Sequence, residues 1–141
     1  MRIYFDASVI IAGLLSSTGG SALLFKYLKT GLIAGFTSLT VLDEIFEEEK
    51  YEKLQKSQAE IEQFIIKSGL IIIEHIANEE ILLLRGEVDM EDAHLIVGAK
   101  QTKCKYLVTL DKKHLLRNDI KKKFLPLIID SPKELLEELI K

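Results

Sequence analysis

Short, wholly apolar runs alternate along this chain with longer stretches of helical periodicity, and that alternation narrows the available folds more than any other feature. Ile3-Tyr4-Phe5, Ile71-Ile72-Ile73 and Tyr106-Leu107-Val108 carry no polar residue. A strand of that composition is buried on both faces, as in parallel sheets covered by helices. Strands are expected over Arg2–Asp6, Leu32–Thr37, Leu70–Ile73, Tyr106–Leu110 and Leu127–Ile129. Between them, helices are expected over Ala7–Leu15, Ser21–Lys29, from Ser38 to about Lys50, and over Gln55–Lys67, Glu79–Leu84, Glu91–Thr102 and Lys133–Ile140. The order predicts an α/β fold: a central, mainly parallel sheet of about five strands with helices on both faces.

Local signals place several boundaries. Thr37 or Ser38 is expected to cap the third helix and Asn78 the short helix that follows the third strand. Gly31 and Gly69 suit helix stops. Ser131-Pro132-Lys133-Glu134 is a helix start in which a hydroxyl cap, proline at the first helical position and glutamate three residues after the cap coincide.

At 141 residues the chain has the length of one domain with a real core, taken as residues 1–141. A net charge of -3 excludes a global basic field that would draw the protein onto nucleic acid. The lone cysteine, Cys104, has no internal disulfide partner. No apolar run reaches the roughly 20 residues of a membrane span. The chain opens directly on a strand-like run, with no charged-then-apolar leader. A cytoplasmic setting without membrane attachment is the expectation.

Against this frame, four acids stand at inner ends of apolar segments: Asp6, Glu44, Asp92 and Asp111. Carboxylates are rarely buried unless paired or bound to a cation. In open parallel sheets, function collects at the carboxyl ends of the strands, and Asp6 and Asp111 close the first and fourth. They become neighbours if those strands are adjacent. Each acid also has an ordinary explanation. Asp6 and Asp111 suit a helix cap or a turn, and Asp92 suits the first turn of a helix. Leu95, Ile96 and Ala99 nonetheless put Asp92 on the apolar stripe, while Asp89 serves better as the cap. Periodicity does not choose between Asp43 and Glu44. Asp130 is set aside, because the Ser131 and Glu134 capping box explains that turn.

The blocks around these acids resemble those of PIN-domain nucleases, small three-layer α/β proteins that cut RNA with divalent metal. Ile3-Tyr4-Phe5-Asp6-Ala7-Ser8 is similar to the family's opening strand and acid. Thr37-Ser38-Leu39-Thr40-Val41-Leu42-Asp43-Glu44-Ile45 is similar to its Ser-x-x-hydrophobic-x-Glu block, and by that likeness Glu44 is selected over Asp43. Asp89-Met90-Glu91-Asp92-Ala93-His94-Leu95 resembles its Asp-led helix, and Tyr106-Leu107-Val108-Thr109-Leu110-Asp111 its fourth strand end. The first acid is followed at its second position by Ser8 where Asn or Thr is common. Leu115 stands where a further acid sometimes follows Asp111.

The resemblance implies a PIN-like site of Asp6, Glu44, Asp92 and Asp111, holding Mg²⁺ or Mn²⁺ and supported by Ser8 or Thr109. An all-oxygen ligand set suits those cations, and His75, His94 and His114 show no zinc spacing; they read as surface or supporting groups. The implied activity is hydrolysis of RNA phosphodiesters by a water that the cation makes more acidic, with Asp92 or Glu44 orienting or deprotonating it. Lys112, Lys113 and Arg117, followed by Lys121-Lys122-Lys123, are candidates for phosphate contacts. Stand-alone members of this size are often toxins of toxin–antitoxin pairs, similar to VapC, so an antitoxin partner and a homodimer are expected. The alternatives are a noncatalytic PIN-like module that binds RNA or protein, and an RNA-processing nuclease without an antitoxin. A haloacid-dehalogenase-type phosphatase would need a second Asp where Ser8 stands, and a receiver-like domain would need paired acids at the first strand.

Overall fold

A computed structural model describes residues 1–47 and 54–140. Five strands form one parallel sheet: β1 (Arg2–Phe5), β2 (Ala34–Ser38), β3 (Ile71–Ile73), β4 (Tyr106–Val108) and β5 (Ile128–Asp130). Their order is β3-β2-β1-β4-β5. The chain therefore runs outward from β1 through β2 to β3, then crosses back to β4 on the other side of β1. That reversal makes the switch point, where carboxyl ends of adjacent strands splay apart and leave a crevice.

Eight helices are present among the described residues. They are α1 (Ala7–Leu15), α2 (Gly20–Thr30), α3 (Leu39–Ile45), α4 (Gln58–Ser68), α5 (Asn78–Leu83), α6 (Ala93–Gln101), α7 (Asn118–Lys123) and α8 (Pro132–Leu139). Both faces of the sheet are covered, and neighbouring residues of β1 show how. Successive strand side chains point to opposite faces. The Phe5 ring lies 5.3 Å from that of Phe25 in α2, while Tyr4 meets Gly98 of α6 on the other side. The glycine is required there, because a Cβ at position 98 would collide with the Tyr4 hydroxyl and ring. Gly98→Ala should lower the unfolding free energy by about 1–3 kcal/mol, the usual effect of overpacking, measured as a shift in urea midpoint.

The helix ends follow the local chemistry, with some corrections to the sequence expectation. Ser38 caps α3, its hydroxyl accepting from the Val41 N–H at 3.2 Å. The helix ends at Ile45 with Phe46 as its C-cap, short of the expected Lys50; residues 48–50 of that expectation lie outside the described residues. α4 begins at Gln58 instead of Gln55, because Ser57 and Glu60 form a capping box. Asn78 is the first helical residue of α5 and does not cap it; Ala77 holds that place without a side-chain bond. α6 starts at Ala93, two residues later than expected, and β4 ends at Val108 instead of Leu110. Gly31 and Gly69 take left-handed conformations, φ 81° and 87°, as helix stops. α7 was not anticipated: six residues, mostly charged, bury only Ile120. The capping box at Ser131 and Glu134 forms as the sequence indicates.

Among the described residues no single helix is long and apolar enough to cross a membrane. α1 and α2 pass such a test only as a pair bent by 94°, and Val9, Ile10, Leu24 and Phe25 belong to the protein core.

Candidate active site

The register that joins β1 to β4 brings two of the acids together. Tyr4 pairs with Leu107 and Phe5 with Val108, so Asp6 and Thr109 are the next residues along. The Thr109 hydroxyl donates to Asp6 Oδ2 at 2.7 Å, and the Ser8 hydroxyl donates to the same oxygen at 3.0 Å. Asp6 Oδ1 accepts from the Ala7 N–H at 2.7 Å. Asp6 is thus the cap of α1 and a member of the cleft at once. The two hydroxyls also fasten the next loop: Ser8 Oγ accepts from the Leu110 N–H at 3.0 Å, and Thr109 Oγ1 accepts from the Asp111 N–H at 3.1 Å. Thr109→Val keeps the shape and removes both bonds. It should cost about 1–3 kcal/mol of stability, the usual penalty for stranding buried polar groups, read by denaturant unfolding.

Asp6, Ser8, Glu44, Asp92 and Asp111 line one cleft of about 810 Å³. Each arrives from a different element: Asp6 from the end of β1, Glu44 from α3, Asp92 from the turn before α6, and Asp111 from the loop after β4. Asp43 also borders the cleft, but it is exposed whereas Glu44 is half-buried. His94, in α6, approaches Glu44 with Nε2 2.7 Å from Oε1. The loop after Asp111 folds back on it. Asp111 Oδ1 accepts from the His114 N–H at 3.0 Å, and His114 Nδ1 lies 3.3 Å from Asp111 Oδ2.

The electrostatics are those of carboxylates gathered without enough positive charge. Burial raises the Asp6 carboxyl above the ordinary carboxylate range; the Thr109 and Ser8 hydroxyls oppose the shift, and Glu44 adds to it. Asp92 is raised to about 6, first by burial, then by the carboxylates of Asp111, Asp6 and Asp89. Asp92 occupies the cap position of α6 but makes no capping bond, so helix capping does not account for its side chain. Asp89 does the local work instead, accepting from the Glu91 N–H at 2.9 Å.

Asp89 and His114, neither assigned to the site by the sequence, join Asp92 in the tightest set of potential ligands among the described residues. One donor atom from each lies within 4.8 Å of the others. The acidic cleft therefore extends from Asp6 toward this rim, with Asp92 common to both parts. Asp130 lies elsewhere, at the end of β5, 4.0 Å from Lys121.

The basic residues divide. Lys112 and Lys113 are exposed directly after Asp111. Arg117 is bound to Asp119 at 2.6 Å. Lys121 is bound to Glu134 at 2.7 Å, and Lys123 to Glu87 at 3.3 Å, so those two lysines are committed to acids of the protein itself.

A parallel α/β domain with an acidic cleft at its switch point is the class that fold and site define. The family model described as the PIN domain matches residues 2–113, and the chain belongs to the PIN-domain family. Two solved structures share the fold. One is a chain from VapBC2 of Rickettsia felis, bound to a DNA fragment from their promoter; it is 18% identical with a TM-score of 0.65, over 93% of this chain and 98% of that one. The other is PAE2754 of Pyrobaculum aerophilum, 19% identical with a TM-score of 0.64, over 99% of this chain and 90% of that one. Among curated proteins the sequence finds no match.

Proposed function

We propose that the protein is a divalent-cation-dependent ribonuclease whose site is Asp6, Glu44, Asp92 and Asp111. The observation that carries this reading is their shared cleft at the β1–β4 switch point. Burial raises the Asp92 carboxyl there, and the neighbouring carboxylates of Asp111, Asp6 and Asp89 add to the shift. The donor set fits the cation that the family implies. Carboxylate oxygens dominate it, as Mg²⁺ and Mn²⁺ require, and like charges held together are stabilised by a cation between them.

Asp6, Asp92, Asp111 and Glu44 would hold the cation. When bound, it supplies positive charge to the phosphoryl oxygens and makes a water more acidic. The protein's own residues do the remaining work. Ser8 and Thr109 fix the Asp6 carboxylate through hydrogen bonds. Asp92, half-buried on the wall of the cleft that Asp6 and Asp111 also line, is placed to accept a proton from that water. Glu44, reaching in from α3, orients that water. Lys112 and Lys113 follow Asp111, exposed, and meet the phosphates of single-stranded RNA, an arrangement that gives affinity without sequence readout.

The toxin half of a toxin–antitoxin pair is the biological role this reading favours, with an antitoxin protein, a homodimeric state and a cytoplasmic setting. The fold shared with a chain of a VapBC2 assembly supports it. The test of the chemistry is cleavage of single-stranded RNA by purified protein in Mn²⁺, in Mg²⁺ and in excess chelator. Cleavage in either cation that stops with chelator is the expected result; cleavage unaffected by chelator overturns it. Co-purification of a small protein encoded beside this chain tests the pairing.

A further inference from the structure

All seven residues from Ala93 to Ala99 in α6 are buried, and His94 is the single polar side chain among them. A helix that is apolar all round needs no imidazole for packing. The His94 side chain is 10% exposed and lines the acidic cleft. Neither ring nitrogen has an aligned hydrogen bond. Nε2 nevertheless lies 2.7 Å from Glu44 Oε1, so the approach is short but off the N–H axis. Buried polar groups left in this state cost stability, and a leucine would fill the position without that cost.

Glu44 explains the histidine. Its side chain is 27% exposed, it stands on a seven-residue helix, and it faces the Asp6 carboxylate across the cleft. Repulsion and a long flexible side chain would together turn it toward water. The His94 ring sits on the one element that also delivers Asp92, and it holds Glu44 on the inner side.

We propose that His94 is a positioning residue that clamps the Glu44 carboxylate in the cleft, so that four acids and not three meet the cation. The proposal rests on the reading of the cleft as a divalent-cation site. It assigns His94 no contact with the cation or the RNA. Hydrogen bonds in empty sites are often poorly aligned and tighten when the site is filled, and partners of metal-binding carboxylates commonly set affinity this way.

The test is Mn²⁺ titration by calorimetry, alongside metal-free thermal unfolding, for wild type, His94→Leu, His94→Gln, and His94→Leu combined with Glu44→Gln. His94→Leu should unfold at the same temperature as wild type or higher, yet bind Mn²⁺ roughly tenfold more weakly. His94→Gln, which keeps an N–H donor, should recover most of the affinity. In the Glu44→Gln background the leucine should weaken binding no further, because the two residues act as one unit. His94→Phe, which keeps a ring without nitrogens, repeats the test if the leucine variant does not fold. Wild-type affinity in His94→Leu overturns the proposal alone, as does equal loss in the glutamine variant or an additive loss in the double variant. Absence of Mn²⁺ binding by the wild type overturns the cation reading and the proposal with it.

Discussion

Asp6→Asn is expected to reduce cation-dependent RNA cleavage by about a thousandfold or more while the protein stays folded. Several kcal/mol of transition-state stabilisation pass through a bound cation, and each 1.36 kcal/mol is about tenfold in rate. The amide still accepts the Ala7 N–H through its oxygen. Its NH₂ group can donate to the Ser8 and Thr109 hydroxyls, which already accept from the Leu110 and Asp111 N–H groups, but their own donations to position 6 are lost. The cap and the loop bonds persist, so the loss is modest. The fold even gains locally, because burial disfavours the charged Asp6 and the amide is neutral. Circular dichroism and thermal unfolding in chelator should match wild type within a few degrees. Cleavage at the wild-type rate by the variant would show that Asp6 is not part of the reacting site.

The second large effect is on pH. In the cation-free protein Asp92 is raised to about 6 from its ordinary value of 3.8. The folded state thus binds this proton more tightly than the unfolded chain does. The corresponding stability is fully present below about pH 4 and is lost as pH rises through about 6. Cation binding runs the other way, because it requires the ionised carboxylate. Below about pH 6 the apparent Mn²⁺ affinity should fall by at least about tenfold per pH unit, because the proton on Asp92 must leave before the cation binds. Cation should therefore raise the unfolding temperature strongly at pH 7.5 and little at pH 5, through preferential binding to the folded state. A cation-induced shift of equal size at both values would show that Asp92 does not bind it.

The parallel sheet was legible because its strands had no alternative: fully apolar runs such as Tyr106-Leu107-Val108 have to be covered on both sides. Asp6 and Asp111 were legible for the same reason, as the first charged residues after two such runs. The strand order β3-β2-β1-β4-β5 was not, since nothing in β1 or β4 alone states that they pair. Glu44 was legible only through family resemblance. Helical periodicity placed it and Asp43 equally, and what separates them is the approach of His94 from a helix 50 residues away in sequence. His94 itself carries a signal in the sequence, a lone imidazole in an otherwise apolar segment. Asp89 is expected to cap the helix but lies ahead of it, accepting from the Glu91 N–H in the preceding turn, and its place beside Asp92 and His114 depends on the loop after Asp111 folding back. α7 is not legible in the sequence, because six residues with one buried side chain carry too short a period.

The boundaries that moved did so for identifiable causes. Ser57 with Glu60 forms a stronger helix start than Gln55 offers. Strand β4 stops at Val108, and Thr109 turns its hydroxyl onto Asp6; in the cleft, the side-chain network takes over from the sheet.

Direct Mn²⁺ binding by the wild type and by Asp92→Asn, followed by the electron paramagnetic resonance of the free ion at pH 7.5, bears most closely on the acidic cleft. Asp92 is the useful position because it belongs both to the four-acid set and to the rim with Asp89 and His114. The expected result is saturable uptake by the wild type and its loss in the variant, with both proteins folded. Unchanged uptake in Asp92→Asn, or none in the wild type, would contradict a cation held by these carboxylates.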